Sequence, residues 1–211
     1  MKAATRDLQR LMDLAGSLRP RIASAKPLPR LLFVTDPQRT PDPEAVADQL
    51  PAGAGVIYRA FGADDALPRA LRLKAIAASR GLILLIGADA ALAEACEADG
   101  VHLPELQVEK AAGLRSARPD WILTAAAHTL DATKRAAGAG CDAALVSAVF
   151  ASNSPSARPQ LGVRAFEAFV AAATLPVYAL GGVTLRTAPD LTESGAQGFA
   201  MVEGLVDAVR T

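Results

Sequence analysis

A (β/α)8 barrel with an N-terminal helical extension is the architecture this sequence predicts, and three observations predict it. Short apolar runs of stave length recur at 31–35, 55–58, 82–86, 100–103, 121–126, 142–146, 176–183 and 198–202, and helical patterning or helix caps separate them. The run at 176–183, Pro-Val-Tyr-Ala-Leu-Gly-Gly-Val, is apolar almost throughout, so both of its faces are covered. It ends on Gly181-Gly182, where the backbone must come close to something just past the strand. A chain of 211 residues with 51% hydrophobic and 21% charged residues can bury one substantial core and needs no second one. Residues 1–29 read as a helix and linker, and 30–211 as the barrel.

The N-terminal helix rests on Leu8, Leu11, Met12, Ala15 and Leu18, spaced three and four apart. It is expected either to close the bottom of the barrel or to contact a partner subunit, which makes it the candidate surface of a homodimer. Pro20, Pro27 and Pro29 make the following linker extended. After the first strand, Asp36-Pro37 is a stop and Asp42-Pro43-Glu44 a helix start with proline at its first position. The spacing predicts helices over 65–79, 88–98 and 106–116, then one capped by Thr129 and ending at Gly138-Ala139-Gly140. The sixth strand opens into the longest loop, 147–161, rich in serine and proline. A helix over 163–173 leads to the seventh strand, Thr184 is expected to cap the next helix, and Glu203-Gly204 starts a short terminal one.

Basic and acidic side chains number 22 each, so no global field gathers nucleic acid or an anionic membrane. No window has the apolar length of a membrane span, and Arg6, Asp7, Arg10 and Asp13 stand where a secretory signal needs an apolar run. Cys96 and Cys141 lack the close spacing of a zinc or redox pair, and free thiols point to the reducing cytoplasm.

Barrel sites are built past the C-terminal ends of the strands, which directs attention to Asp36, Arg59, His102, His128, Ser152, Ser154, Gly181, Gly182 and Glu203. Arg59 can hold a phosphate or carboxylate bidentately, or else make a rim salt bridge to Asp36 or Asp64. His102 sits inside a short strand, where hydrogen bonding within the barrel competes with a chemical role; His128, at a strand-to-helix junction, either shapes its loop or touches ligand. Gly181-Gly182 before Thr184 resembles a backbone cradle for phosphate, with steric relief between strand and helix as the plain alternative. Glu203 places a carboxylate where the second half of such a cradle would hold the anion, and like-charge repulsion weakens phosphate affinity there unless a cation offsets it. Neither histidine has the acidic or thiol neighbours of a metal site.

The segments Leu-Phe-Val-Thr-Asp at 32–36, Ala-Asp-Gly-Val-His-Leu at 98–103, Ala-Gly-Cys-Asp at 139–142 leading to Val149-Phe150, the run at 176–183 and Gly-Ala-Gln-Gly-Phe-Ala at 195–200 together resemble the thiamine phosphate synthase family, which includes thiazole tautomerases. The resemblance spans about residues 31 to 207. It implies a small-molecule substrate of the pyrimidine or thiazole kind, phosphorylated in the family. It also implies magnesium, and a condensation in which an aminopyrimidine diphosphate loses pyrophosphate to a thiazole phosphate.

Of the residues that the resemblance assigns to that reaction, Arg59 is kept, while Tyr58-Arg59-Ala60-Phe61 lacks the family's pyrophosphate lysine. The two magnesium carboxylates match Ala88 and Gln107; Asp89 and Glu105 are adjacent but out of register. A serine matches Ala126, with His128 retained beyond it. The hydroxyl-rich segment after strand six keeps Ser152 and Ser154 but loses its lysine, for which Arg158 is a nearby substitute. The phosphate-holding serine matches Glu203, and the tautomerase histidine matches Ala148. The literal condensation therefore lacks much of its electrostatic support, and the cofactor is left open. Arg59, His128 and His102 are the candidate catalytic groups, with Ser152, Ser154, Arg158, Gly181, Gly182 and Glu203 as candidate ligand contacts. The competing readings are a catalytically silent barrel that binds a metabolite or regulatory partner, and an enzyme acting on a different small phosphorylated or heterocyclic substrate.

Overall fold

The computed structural model describes residues 6–153 and 159–210. Its strands are β1 (Leu31–Val34), β2 (Gly55–Tyr58), β3 (Ile83–Gly87), β4 (Gly100–Leu103), β5 (Ile122–Ala127), β6 (Ala143–Val146), β7 (Val177–Leu180) and β8 (Gly198–Met201). All pair in parallel and in sequence order, and β8 returns to β1 through Leu32↔Ala200, so the barrel is closed and has no edge. The helices are α1 (Arg6–Ser17), α2 (Pro43–Ala47), α3 (Ala66–Arg80), α4 (Ala90–Ala95), α5 (Lys110–Ala117), α6 (Leu130–Gly138), α7 (Val163–Ala172) and α8 (Glu203–Arg210).

Side chains alternate along each stave, and this divides the core in two. One set, including Phe33, Val56, Leu84, Val101 and Phe199, packs outward under the helices. The other, including Leu32, Val34, Ile57, Leu85, Leu145, Tyr178 and Ala200, fills the lumen.

Several caps fall where the sequence puts them. Asp42 accepts from the Ala45 amide with Pro43 at the first helical position, and Thr129 accepts from the Ala132 amide. Two of the expected helices are shorter. Ala88 takes a left-handed φ of 65° and Asp89 caps, so α4 starts only at Ala90. The 106–116 helix divides into a 3-10 turn, Glu105–Gln107, and α5.

The helix expected after Thr184 is absent, and a 3-10 turn, Ala188–Leu191, replaces it. Thr187 explains why: its hydroxyl accepts from the Thr184 amide at 2.9 Å and donates to the Gly182 carbonyl at 2.9 Å, which offers the backbone a competing partner. Pro189 then removes an amide that a helix would need.

The apolar stripe of α1 packs on α8 and on this 3-10 turn, burying Leu8, Leu11 and Ala15. It covers the flank of the barrel where β7 and β8 have no helix between them. The bottom is closed by the linker instead, where Leu28 joins the lumen core and the Pro29 carbonyl accepts from the Tyr178 hydroxyl at 2.6 Å.

Candidate functional site

Residues two apart on a stave share a face, so the lumen set continues upward to the residues of the mouth. Above Val34 comes Asp36, above Ile57 Arg59, above Leu85 Gly87, and above Leu145 Ser147. On β4 and β5, His102 pairs in register with Thr124, and Ala126 and His128 continue that face. Arg59, His102, His128 and the turn after β7 are thus brought to one end of the barrel.

The arc from β2 through β1 to β8 is a chain of alternating charge. Arg59 donates from Nε to the Thr35 carbonyl at 2.6 Å and lies 3.4 Å from Asp36, so the rim salt bridge exists. Its guanidinium stands 5.2 Å from the centre of the Phe61 ring, which is 69% exposed at the rim. Asp36 also accepts from Arg39 Nη2 at 2.8 Å and from the Gln38 and Arg39 amides. The Arg39 bond, against the opposing effect of burial, holds its carboxyl down at about 2. Arg39 in turn reaches Glu203 at 3.9 Å, the cation that the carboxylate after β8 requires. Sequence reasoning missed Arg39; the turn signal of Asp36-Pro37 marks only the loop that carries it.

The two histidines stand in different surroundings. His102 is buried, with Nδ1 2.9 Å from the Thr124 hydroxyl; desolvation, with the Arg59 charge second, pushes its pKa down to about 3. It is neutral at ordinary pH. His128 is half-buried, and its Nδ1 lies 2.9 Å from the Ser147 carbonyl oxygen. A carbonyl can only accept, so Nδ1 carries the proton and Nε2 the lone pair. Glu105 accepts from the His128 amide at 2.9 Å and pairs with Arg135 at 3.3 Å, which fixes this junction from the β4 side. The Ser147 carbonyl has no side-chain signature that a sequence reading could find.

Gly181 and Gly182 take φ of 89° and 66°. A methyl on Gly181 would lie 2.8 Å from Ala148 Cα, and one on Gly182 would overlap the Ala151 carbonyl oxygen and come within 2.7 Å of Phe150 Cβ. The glycines are therefore required by the segment after β6, which lies against them. The turn after β8 is equally close, since a methyl on Gly204 would lie 2.6 Å from the Val183 carbonyl oxygen. Ser152 is half-buried on the segment after β6, whereas Ser154 and Arg158 lie outside the described residues.

Magnesium, implied by resemblance, needs several free charged oxygens. Asp89 accepts from the Leu92 amide as a helix cap, Glu105 is committed to His128 and Arg135, Asp36 to two arginines, and Gln107 to Lys110. Among the described residues no three of His, Cys, Asp and Glu cluster as metal ligands would. The donor set does not fit the ion. No described helix is long and apolar enough to cross a membrane.

Comparison with known proteins agrees with the barrel fold and with the family resemblance. A family model described as thiamine monophosphate synthase matches residues 31–205. A thiamine-phosphate synthase of Xanthomonas campestris pv. campestris is 35% identical over 157 residues, 72% of this chain and 74% of the relative. One of Methanoculleus marisnigri is 31% identical over 143 residues, 67% and 68% of the two chains. Among solved structures, a thiamine phosphate pyrophosphorylase from Pyrococcus furiosus superposes with a TM-score of 0.71 at 21% identity, covering 87% of this chain and 96% of that one, a likeness of fold.

Proposed function

Because the chain belongs to the thiamine monophosphate synthase family, we propose that its mouth binds a thiamine-related heterocycle and moves a proton between two positions of a non-aromatic tautomer of its ring, without the magnesium-assisted loss of pyrophosphate. The observation that carries this reading is how the charged groups of the mouth are used. Diphosphate departure asks for cations free to take up negative charge, and Arg59 and Arg39 are both held by Asp36. Asp89 and Glu105, the acids nearest the lost magnesium positions, are held by protein donors.

Proton transfer needs less. Ala126, Leu180 and Val202 are small or apolar positions at the top of the lumen register, a floor suited to a flat ring, while Gly87 is covered by the Arg59 side chain. His128 Nε2 accepts a ring proton while Nδ1–H stays on the Ser147 carbonyl, and the imidazolium then returns the proton to a second ring position. Atoms balance with no external reactant. His128 thus takes the task for which the tautomerase pattern has a histidine at Ala148, a side chain packed here under Gly181.

The test incubates the purified chain with aminopyrimidine diphosphate, thiazole phosphate and magnesium, and separately follows deuterium uptake by hydroxyethylthiazole. No thiamine phosphate above the protein-free control is expected, and deuterium uptake should fall at least tenfold in His128→Gln while the ligand still binds. Thiamine phosphate formation at enzyme-like rates would overturn the reading.

A further inference from the structure

We infer that the mouth takes its ring ligand in the unphosphorylated, hydroxyl-bearing form, and that Glu203, steadied by Arg39, is the residue that makes this choice. The inference rests on the ring-binding reading above and names the substrate class for the same site.

Charge alternates along the arc from β2 to α8. Arg59, Asp36, Arg39 and Glu203 follow one another at 3.4, 2.8 and 3.9 Å, two cations and two anions in alternation. Among these four described residues the sum is zero, so they offer a phosphate ester arriving on this arc no surplus positive charge. Asp36 stays ionised because four donors favour it: the side chains of Arg39 and Arg59 and the amides of Gln38 and Arg39. Both arginines consequently remain engaged.

Glu203 is the member of this chain that a ligand can reach. Its side chain is 44% exposed, against 15% for Arg39, 17% for Asp36 and 26% for Arg59. It follows Val202, a residue of the lumen register, and opens α8 beside the Gly181–Thr184 turn, with Gly204 packed on Val183 and Thr184. The terminal group of a ring substituent lying in that corner meets a carboxylate. A dianionic phosphate is repelled by it, whereas an alcohol donates a hydrogen bond to it and receives a charge-assisted contact. Arg39, at 3.9 Å, is close enough to orient the carboxylate and too distant for a short bond that would consume both of its oxygens.

Calorimetric titration of the full chain with hydroxyethylthiazole and with its phosphate monoester tests this, repeated on Glu203→Gln and Glu203→Ser. The expected result is an alcohol bound at least tenfold tighter than the ester by the unaltered chain, with that ratio falling to threefold or less in both variants. Gln keeps the shape of the side chain and Ser removes its bulk, so a shared change in ratio reports the charge. If the unaltered chain binds the ester more tightly, or if the ratio survives both substitutions, the inference fails while the ring-binding reading stands. If neither compound binds, both fail.

Discussion

His102 ties the stability of the barrel to pH, because its imidazole is buried beside Arg59 and stays neutral down to about 3. The unfolded chain binds a proton at this side chain near the ordinary histidine pKa of about 6.5, and the folded one does not. The contribution is therefore intact above 6.5 and declines as the pH falls from there toward 3, at about 1.4 kcal/mol per unit. At pH 5 the loss is about 2 kcal/mol relative to pH 7.5. Asp36 adds nothing in that window, since its depression runs from 3.8 down to about 2 and its share is lost only below it. Urea denaturation at the two pH values measures the slope, and His102→Gln, which has no proton to bind, should remove about 2 kcal/mol of it. An unchanged slope in the variant would mean that His102 is not the group responsible. The residue-level placement was legible: a histidine inside a stave of Gly-Val-His-Leu had to be buried. Its shift was not, because the desolvation that dominates it comes from the closed barrel around the ring and the Arg59 charge that adds to it comes from another strand.

At the scale of elements, the turn after β7 and the segment after β6 are one unit. The Phe150 amide donates to the Gly181 carbonyl and the Val149 amide to that of Leu180, and the glycine faces lie against Ala148, Phe150 and Ala151. Gly53 makes a fair control, with a similar φ of 83° and nothing within 4 Å of its methyl position. Alanine at Gly53 costs about 1–2 kcal/mol for the left-handed backbone alone. Alanine at Gly182 should cost a further 1–3 kcal/mol or so from overpacking, a difference that denaturant midpoints resolve. Equal costs at the two sites would show that the β6 segment yields freely. Here the sequence was readable in part. Two glycines ending an apolar run said that something approaches, and the staves themselves were plain because residues covered on both faces leave an unbroken apolar run. What approaches was ambiguous between an anion and protein, since glycine serves both. The missing helix before β8 was misread because Thr184 has the form of a cap, and only the three-dimensional turn shows Thr187 taking over its amide. Arg39 escaped for a related reason: a loop arginine carries no periodicity, and although Asp36 is only three residues away, Glu203 stands at the other end of the chain.

For the molecule as a whole, the place where the barrel closes is also where its outer layer is thinnest. Seven of the helices accompany staves, but between β7 and β8 there is only the 3-10 turn, and α1 supplies the cover from the other end of the chain. Leu8, Leu11 and Leu18 are each at most 1% exposed, packed with partners that include Leu191 and Leu205 in one continuous core. Full burial of a leucine is worth about 1.5–3 kcal/mol, so three supply a large part of the 5–15 kcal/mol that holds a typical domain together. Removing residues 1–20 should therefore abolish the cooperative unfolding transition and expose the flank to aggregation, and Leu11→Ala alone should cost about 2–5 kcal/mol. A helix that served instead as a handle for a second copy would behave differently: the truncated chain would keep its transition midpoint, and light scattering would show only a halved mass. That outcome would detach α1 from the barrel's stability and make it an assembly element, whereas loss of the transition assigns it to the closure of the fold.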